Sequence, residues 1–113
     1  MITKEELINY CLSLEGAFKR YPFGDQPLVM SIKEKKGFCD IYEYADPLHI
    51  VVKCEPMEVD FLRSVYSCIK PGYHCNKTHW NSIYIDGTIA DEEIKGMILN
   101  SYKLVNGKSA GLK

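Results

Sequence analysis

Apolar positions along the chain recur at two different periods, and the changes of period mark its elements. Leu7, Ile8, Cys11 and Leu12 repeat at helical spacing behind Thr3-Lys4-Glu5-Glu6. In that tetrapeptide the Thr hydroxyl can take the Glu6 amide while the Glu6 carboxylate reaches back, so a capped helix is expected from about Lys4 to Leu14, ended by Gly16. From Ala17 to Pro27 two prolines and a glycine interrupt any regular period, and a loop pinned to the core by Phe18, Tyr21 and Phe23 is expected. Period 2 then takes over. Leu28 to Lys33 is rich in strand formers, Glu34-Lys35-Lys36-Gly37 is a polar hairpin turn, and Phe38 to Tyr44 alternates. The alternation sets Cys39, Ile41 and Glu43 on one side and Phe38, Asp40, Tyr42 and Tyr44 on the other. After Asp46-Pro47, Leu48 to Cys54 is the most apolar strand and is expected to be central.

The helical period returns behind Glu55-Pro56, with Pro56 in the first turn, where its missing N–H costs nothing. Val59, Leu62, Val65, Tyr66 and Ile69 mark the buried face of this second helix. Tyr73 to Lys77 reads as a short strand and Trp80 to Asp86 as a longer one, with Trp80, Ser82 and Tyr84 on one face and Asn81, Ile83 and Ile85 on the other. Asp91-Glu92-Glu93 opens a last helix at its favourable dipole end. Ile94, Met97, Ile98, Ser101, Tyr102 and Val105 carry its apolar stripe and Gly107 closes it. The order α-β-β-β-α-β-β-α, without repeat or linker, describes one α+β domain spanning residues 1–113: an antiparallel sheet with helices packed on it.

Composition changes this picture little. A chain of 113 residues can bury a real core without crosslinks. Its net charge of −1 excludes any global attraction to nucleic acid or acidic lipid, so a basic surface would have to be local. The five cysteines, at 11, 39, 54, 68 and 75, form no CxxC and read as reduced, small apolar residues. With no apolar run of membrane-spanning length and no signal-type start, a cytoplasmic protein without membrane association is expected.

The candidate chemistry gathers in residues 70–87, which hold two of the three histidines and the only tryptophan. His74, Cys75 and His79 match no usual zinc-ligand spacing, and no second cluster completes four ligands, so no metal is expected. Cys75 with His79 as base lacks a glycine-rich nucleophile turn and reads as an ordinary loop cysteine. No phosphate-binding loop, dinucleotide fingerprint or carboxylate pair occurs, so neither a cofactor nor enzymatic activity is expected. Ser101 and Tyr102 fall on or beside the buried face of the last helix, where a structural hydrogen bond to the sheet is expected. Lysines at hairpin tips can reach phosphates: Lys33, Lys35 and Lys36 occupy one turn and Lys77 another, with His79, Trp80 and Asn81 beside it. The competing reading of such lysines is a solvated turn that protects a sheet edge.

Pro22-Phe23-Gly24, Lys77-x-His79-Trp80-Asn81, Asp86-Gly87 and Ser101-Tyr102 together resemble the MmcQ/YjbR family over nearly the whole chain. Lys-x-His-Trp-Asn is the most specific element. Cys75 stands where the family pattern leads one to expect an apolar residue such as Met, and Gly111-Leu112-Lys113 is similar to a Leu-Pro-Lys ending without its proline. The resemblance implies a compact secretion-chaperone-like α+β fold and a DNA-binding protein with a double-wing motif. The wings would be the hairpins near Lys33 to Gly37 and Asn76 to Trp80. In that reading Lys33, Lys35, Lys36 and Lys77 neutralise phosphates of double-stranded DNA, while His79, Trp80 and Asn81 lie near the nucleic acid or support the wing. Two rivals are a protein-interaction module, which an exposed apolar patch would favour, and a small-molecule site walled by Tyr21, Phe23, Trp80 and Tyr102.

Overall fold

The computed structural model describes residues 1–73 and 75–107. Among these, the chain forms α1 (Lys4–Ser13), β1 (Phe18–Arg20), β2 (Leu28–Ile32), β3 (Lys36–Tyr42), β4 (His49–Lys53), α2 (Pro56–Val65), β5 (Ile69–Pro71), β6 (Trp80–Tyr84) and α3 (Asp91–Asn106). The six strands make one antiparallel sheet in the order β1-β2-β3-β4-β6-β5. This is the α+β architecture expected, with one strand more. The capping box also forms, the Thr3 hydroxyl accepting from the Glu6 amide at 3.1 Å and Glu6 from the Thr3 amide at 2.9 Å. Gly107 closes α3 at φ +78°, a conformation that suits glycine.

β4 lies inside the sheet, between β3 and β6, as its apolar run requires. Leu28, Ile41, Ile50, Ile83 and Ile69 stand opposite one another across five strands and are all buried. Each contributes about 1.5–3 kcal/mol by leaving water, and a one-residue slip would turn the whole row out, so the row pins the register. Leu7 and Cys11 of α1, Val59 of α2 and Ile94 and Ile98 of α3 complete the same core, so all three helices cover one face of the sheet. Loops cover part of the other.

Four local expectations are corrected. A bulge interrupts the β2–β3 ladder: Cys39 faces Met30 but Gly37 faces Ser31, so Phe38 is an extra residue. It thereby turns to the helix side with Cys39 rather than to the side of Asp40 and Tyr42, and its ring meets Tyr102 edge-on at 5.3 Å. Phe18 to Arg20 is an edge strand, not loop, and Tyr21 and Phe23 stay exposed, Phe23 at 73%. Apolar rings predicted to pin the loop therefore do not. α2 stops at Val65, which is exposed, and Ile69 belongs to β5. That strand is Ile69–Pro71 rather than Tyr73 to Lys77. It pairs only with β6, and on such an edge Pro71 needs no ladder N–H.

Candidate functional site

Strand directions decide where the charged loops go. β2 and β5 run toward one end of the sheet and β3 and β6 run back from it, so the β2–β3 turn and the β5–β6 loop project from the same end. Their centres are three strand spacings apart, roughly 14 Å. At the first tip the Lys36 amide closes a turn onto the Lys33 carbonyl, with Glu34 and Lys35 both left-handed at φ +62° and +60°. Gly37, the residue that signalled the turn, is not its left-handed position; a Cβ there would lie 2.7 Å from Val29 Cγ1, so it serves the close approach of β3 to β2 beside the bulge. Lys33, Lys35 and Lys36 are exposed. Lys36 pairs with Glu34 at 3.6 Å, and Arg20 Nη2 donates to the Lys35 carbonyl at 3.3 Å.

The β5–β6 loop is held from several sides. The Lys77 ammonium donates to the carbonyls of Gly72 (2.9 Å) and Cys75 (3.4 Å), although the residue as a whole is exposed. Asn76 Oδ1 takes the Thr78 amide, and the His79 carbonyl takes the Cys54 amide at 2.7 Å. Gly72 lies against Trp80, where an added Cβ would stand 2.8 Å from the Trp80 Cβ. Arg63 of α2, which the sequence reading passed over, clamps the loop: its Nη2 donates to the Lys77 and Trp80 carbonyls and its Nε to Asn81 Oδ1 at 2.6 Å. Asn81 is fully buried and gives its own amide hydrogens to the Val59 carbonyl and Cys54 Sγ. It therefore takes the supporting role, and His79 and Trp80 are half-buried beside it.

The near-zero net charge conceals a separation. Lys33, Lys35, Lys36, Lys53, Lys77 and Lys103 lie toward the end that carries the two hairpins, with Glu15, Glu34, Glu55 and Glu58. Glu43, Asp46, Asp86, Asp91, Glu92 and Glu93 lie toward the opposite end, in the β3–β4 and β6–α3 connections and the first turn of α3, with Lys4 over the Tyr44 ring and Lys95 paired with Glu92.

Behind the second loop, the helix-free face of the sheet carries a stack that sequence reasoning missed. Tyr42, His49 and Tyr84 are register partners on three adjacent strands. The His49 ring lies between the others, 4.5 Å from Tyr42 and 4.4 Å from Tyr84, with Tyr73 edge-on at 6.0 Å. Its two nitrogens have no hydrogen-bond partner among the described residues, and burial pushes its pKa down, the Pro47 backbone opposing. A lone histidine inside an apolar strand was the only sequence signal. One turn of the pleat away, burial raises the Asp40 carboxyl to about 6, against a lowering contact from the Cys75 thiol 3.9 Å away. Burial and Asp40 together lift the Cys75 thiol to about 11, the opposite of what a nucleophile requires.

Among the described residues no three His, Cys, Asp or Glu side chains converge as metal ligands; His74 and residues 108–113, with the Gly111-Leu112-Lys113 ending, lie outside them. All five cysteines are free. No described helix is long and apolar enough to cross a membrane. Ser101 makes the bond expected of it, donating to the Phe38 carbonyl at the bulge (2.6 Å) and accepting from the Lys53 amide (2.8 Å). Tyr102 instead reaches the Glu15 carbonyl at 2.7 Å. Tyr102 lies on the helix side and Trp80 projects from the other, so the pocket imagined between Tyr21, Phe23, Trp80 and Tyr102 does not form.

A family model described as YjbR matches residues 12–104. The chain is 28% identical over 102 residues to protein YjbR of Escherichia coli K12, covering 90% of this chain and 86% of that one. It is 34% identical over 96 residues to protein YbdF of Escherichia coli O157:H7, covering 83% and 78%. The crystal structure of Deinococcus radiodurans protein DR2400, described as a DUF419 domain, superposes with a TM-score of 0.89 at 31% identity, over 96% of this chain and 82% of that one.

Proposed function

The chain belongs to the YjbR family, and from the shared end of its two lysine-bearing hairpins we propose that it binds double-stranded DNA without acting on it chemically. The observation that carries the reading is the separation of charge: lysines outnumber acids where the hairpins project, and acids outnumber lysines at the far end. A spacing of roughly 14 Å between the tips is close to the width of a B-DNA major groove, about 12 Å. Lys33, Lys35 and Lys36 would meet phosphates on one side of the groove and Lys77 on the other. Lys77 offers its charge from a fixed place, because two loop carbonyls hold its ammonium. Arg63, His79, Trp80 and Asn81 keep the second wing in shape. Such contacts position a protein on a duplex without reading its bases.

Fluorescence anisotropy of a labelled duplex, titrated from low to physiological salt, tests this. Four phosphate contacts give a log–log salt slope of roughly −3 to −4, and Lys35→Glu or Lys77→Glu each lowers both affinity and slope. No binding tighter than about 10⁻⁴ M at low salt would sink the proposal.

One observation favours a different partner. Met57, Phe61 and Val65 recur at i, i+4 and i+8 on α2 and are exposed at 91, 63 and 52%. An apolar stripe of this kind suits a groove on another protein. Failure of the DNA titration would bring it forward, to be tested by capture from cell extract with Phe61→Glu as the control.

A further inference from the structure

The helix-free face of the sheet holds an open cleft of about 510 Å³, in the size range of small-molecule sites. Its walls come from three separate parts of the chain. Phe23 stands on the loop before β2, Tyr42 on β3 and Tyr73 on the loop after β5, while Gln26 lines the side and Asp40 and Cys75 contribute the polar groups. Gln26 is itself anchored, accepting the Tyr44 amide at 3.1 Å. The rear of the Tyr42 wall is stiffened by the His49–Tyr84 stack. Tyr73 closes edge-on against Tyr42 at 5.5 Å, with its backbone amide fixed to Ser82 Oγ at 2.9 Å.

The chemistry of the lining is one-sided. Three aromatic rings present π-electron density, a carboxyl group sits among them, and among the described residues no lysine, arginine or histidine lines the cleft. Among the described residues no cation pairs with Asp40; the Cys75 thiol is its one hydrogen-bond partner. A carboxylate in a partly dry, aromatic-walled site is complementary to a positive charge on an organic body, which gains ring faces and a charge-assisted hydrogen bond at once. An anion would meet Asp40 and find no cationic side chain among the described residues. A bare metal ion would find one carboxylate and a protonated thiol.

We propose that this cleft binds a small organic cation, a primary amine carried on an aromatic or heterocyclic ring, with Asp40 as its counter-charge and Phe23, Tyr42 and Tyr73 enclosing the ring. The cleft opens on the helix-free face, and Tyr73 and Cys75 bring part of the β5–β6 loop into its wall.

The test is a ¹H–¹⁵N NMR titration of the full chain with tryptamine, and with its neutral analogue tryptophol as control, at pH 7.5. A ligand of this size in a half-open site should bind with a Kd of roughly 0.1–1 mM. Tryptophol should bind at least about tenfold more weakly. The shifted amides should be those of Asp40, Tyr42, Tyr73 and Cys75. Asp40→Asn, close in shape and checked for folding by the same spectrum, should weaken tryptamine about tenfold and leave tryptophol unchanged. Tyr73→Ala, on an exposed loop position, should weaken both. Tryptamine affinity should also fall as the pH drops below about 6, where Asp40 takes up its proton. Burial raises the Tyr42 hydroxyl and the Cys75 thiol, so neither changes charge on that side of neutrality; His49, stacked behind Tyr42, gains charge on acidification, and the same pH series on Asp40→Asn separates its effect from that of Asp40. Equal binding of amine and alcohol, undiminished binding to Asp40→Asn, or no perturbation of the cleft at about ten times the expected Kd would each overturn the proposal.

Discussion

Asp40 is a carboxylate that the folded chain holds unfavourably. Burial raises its pKa from 3.8 to about 6, so the folded state binds the proton more tightly than the unfolded state. The sign follows from linkage: its contribution to stability is most favourable below pH 3.8 and is lost as the pH rises through 6. At pH 7 the cost is about 1–3 kcal/mol. Asp40→Asn should therefore raise the melting temperature by about 4–10 °C at pH 7.5 and by almost nothing at pH 4, measured by circular dichroism. An equal gain at both values would mean that the charge is not the cause. His49 acts in the opposite sense. Burial depresses its pKa below 6.5, so the stability that goes with its neutral ring is present above that value and declines as the solution is acidified. The two residues, neighbours on one sheet face, thus oppose each other between pH 4 and 7.

At the scale of elements, the first hairpin turn is the least comfortable piece of the backbone. Glu34 and Lys35 both occupy left-handed positions that glycine and asparagine fill at lower cost. Replacing them together, Glu34→Asn with Lys35→Gly, should stabilise the protein by about 1–2 kcal/mol in urea unfolding, with an unchanged dependence on denaturant. The same double variant removes one wing lysine and one wing carboxylate, leaving the local charge unchanged and freeing Lys36 from its pair with Glu34, so any loss of DNA affinity would report the Lys35 contact itself. The second hairpin is built differently. It owes its shape to Arg63, whose guanidinium reaches the Lys77 and Trp80 carbonyls and the buried Asn81 at once. Hydrogen bonds to a charged donor are worth about 1.5–3 kcal/mol, enough to hold a loop with little regular structure.

At the scale of the molecule, neutrality is the sum of two unlike ends. If the lysine end meets the duplex, reversing a charge there matters far more than reversing one at the acidic end. At about 0.1 M salt, where the Debye length is about 10 Å, Lys33→Glu should lower DNA affinity at least about tenfold, whereas Glu92→Lys, at the far end of the molecule, should change it less than about twofold. Comparable effects from both variants would indicate that only net charge is sensed. The Glu92→Lys protein also loses a surface pair with Lys95 at 3.7 Å, a loss too small to disturb folding.

Much of this was legible in the chain before any coordinates. Helix starts are local chemistry: Thr3 and Glu6, Pro56, and the acids from Asp91 lie within a turn of what they stabilise, so three helices and the α+β class could be read directly. Ser101, expected to tie α3 to the sheet, does so. The central place of β4 followed from an apolar run that only an interior strand can bury. The remainder depends on contacts far apart in sequence. The bulge that turns Phe38 inward exists only relative to β2, and Ile69–Pro71 is a strand only because β6 lies beside it. The Tyr42–His49–Tyr84 stack is a property of register, and the cleft joins Phe23, Asp40 and Tyr73 across fifty residues. Asn81 stands in the motif that suggested a nucleic-acid contact, yet α2 closes over it and makes it interior. Local propensity decides what each segment can become; which faces meet, and so which polar groups are shielded from water, is decided by packing alone.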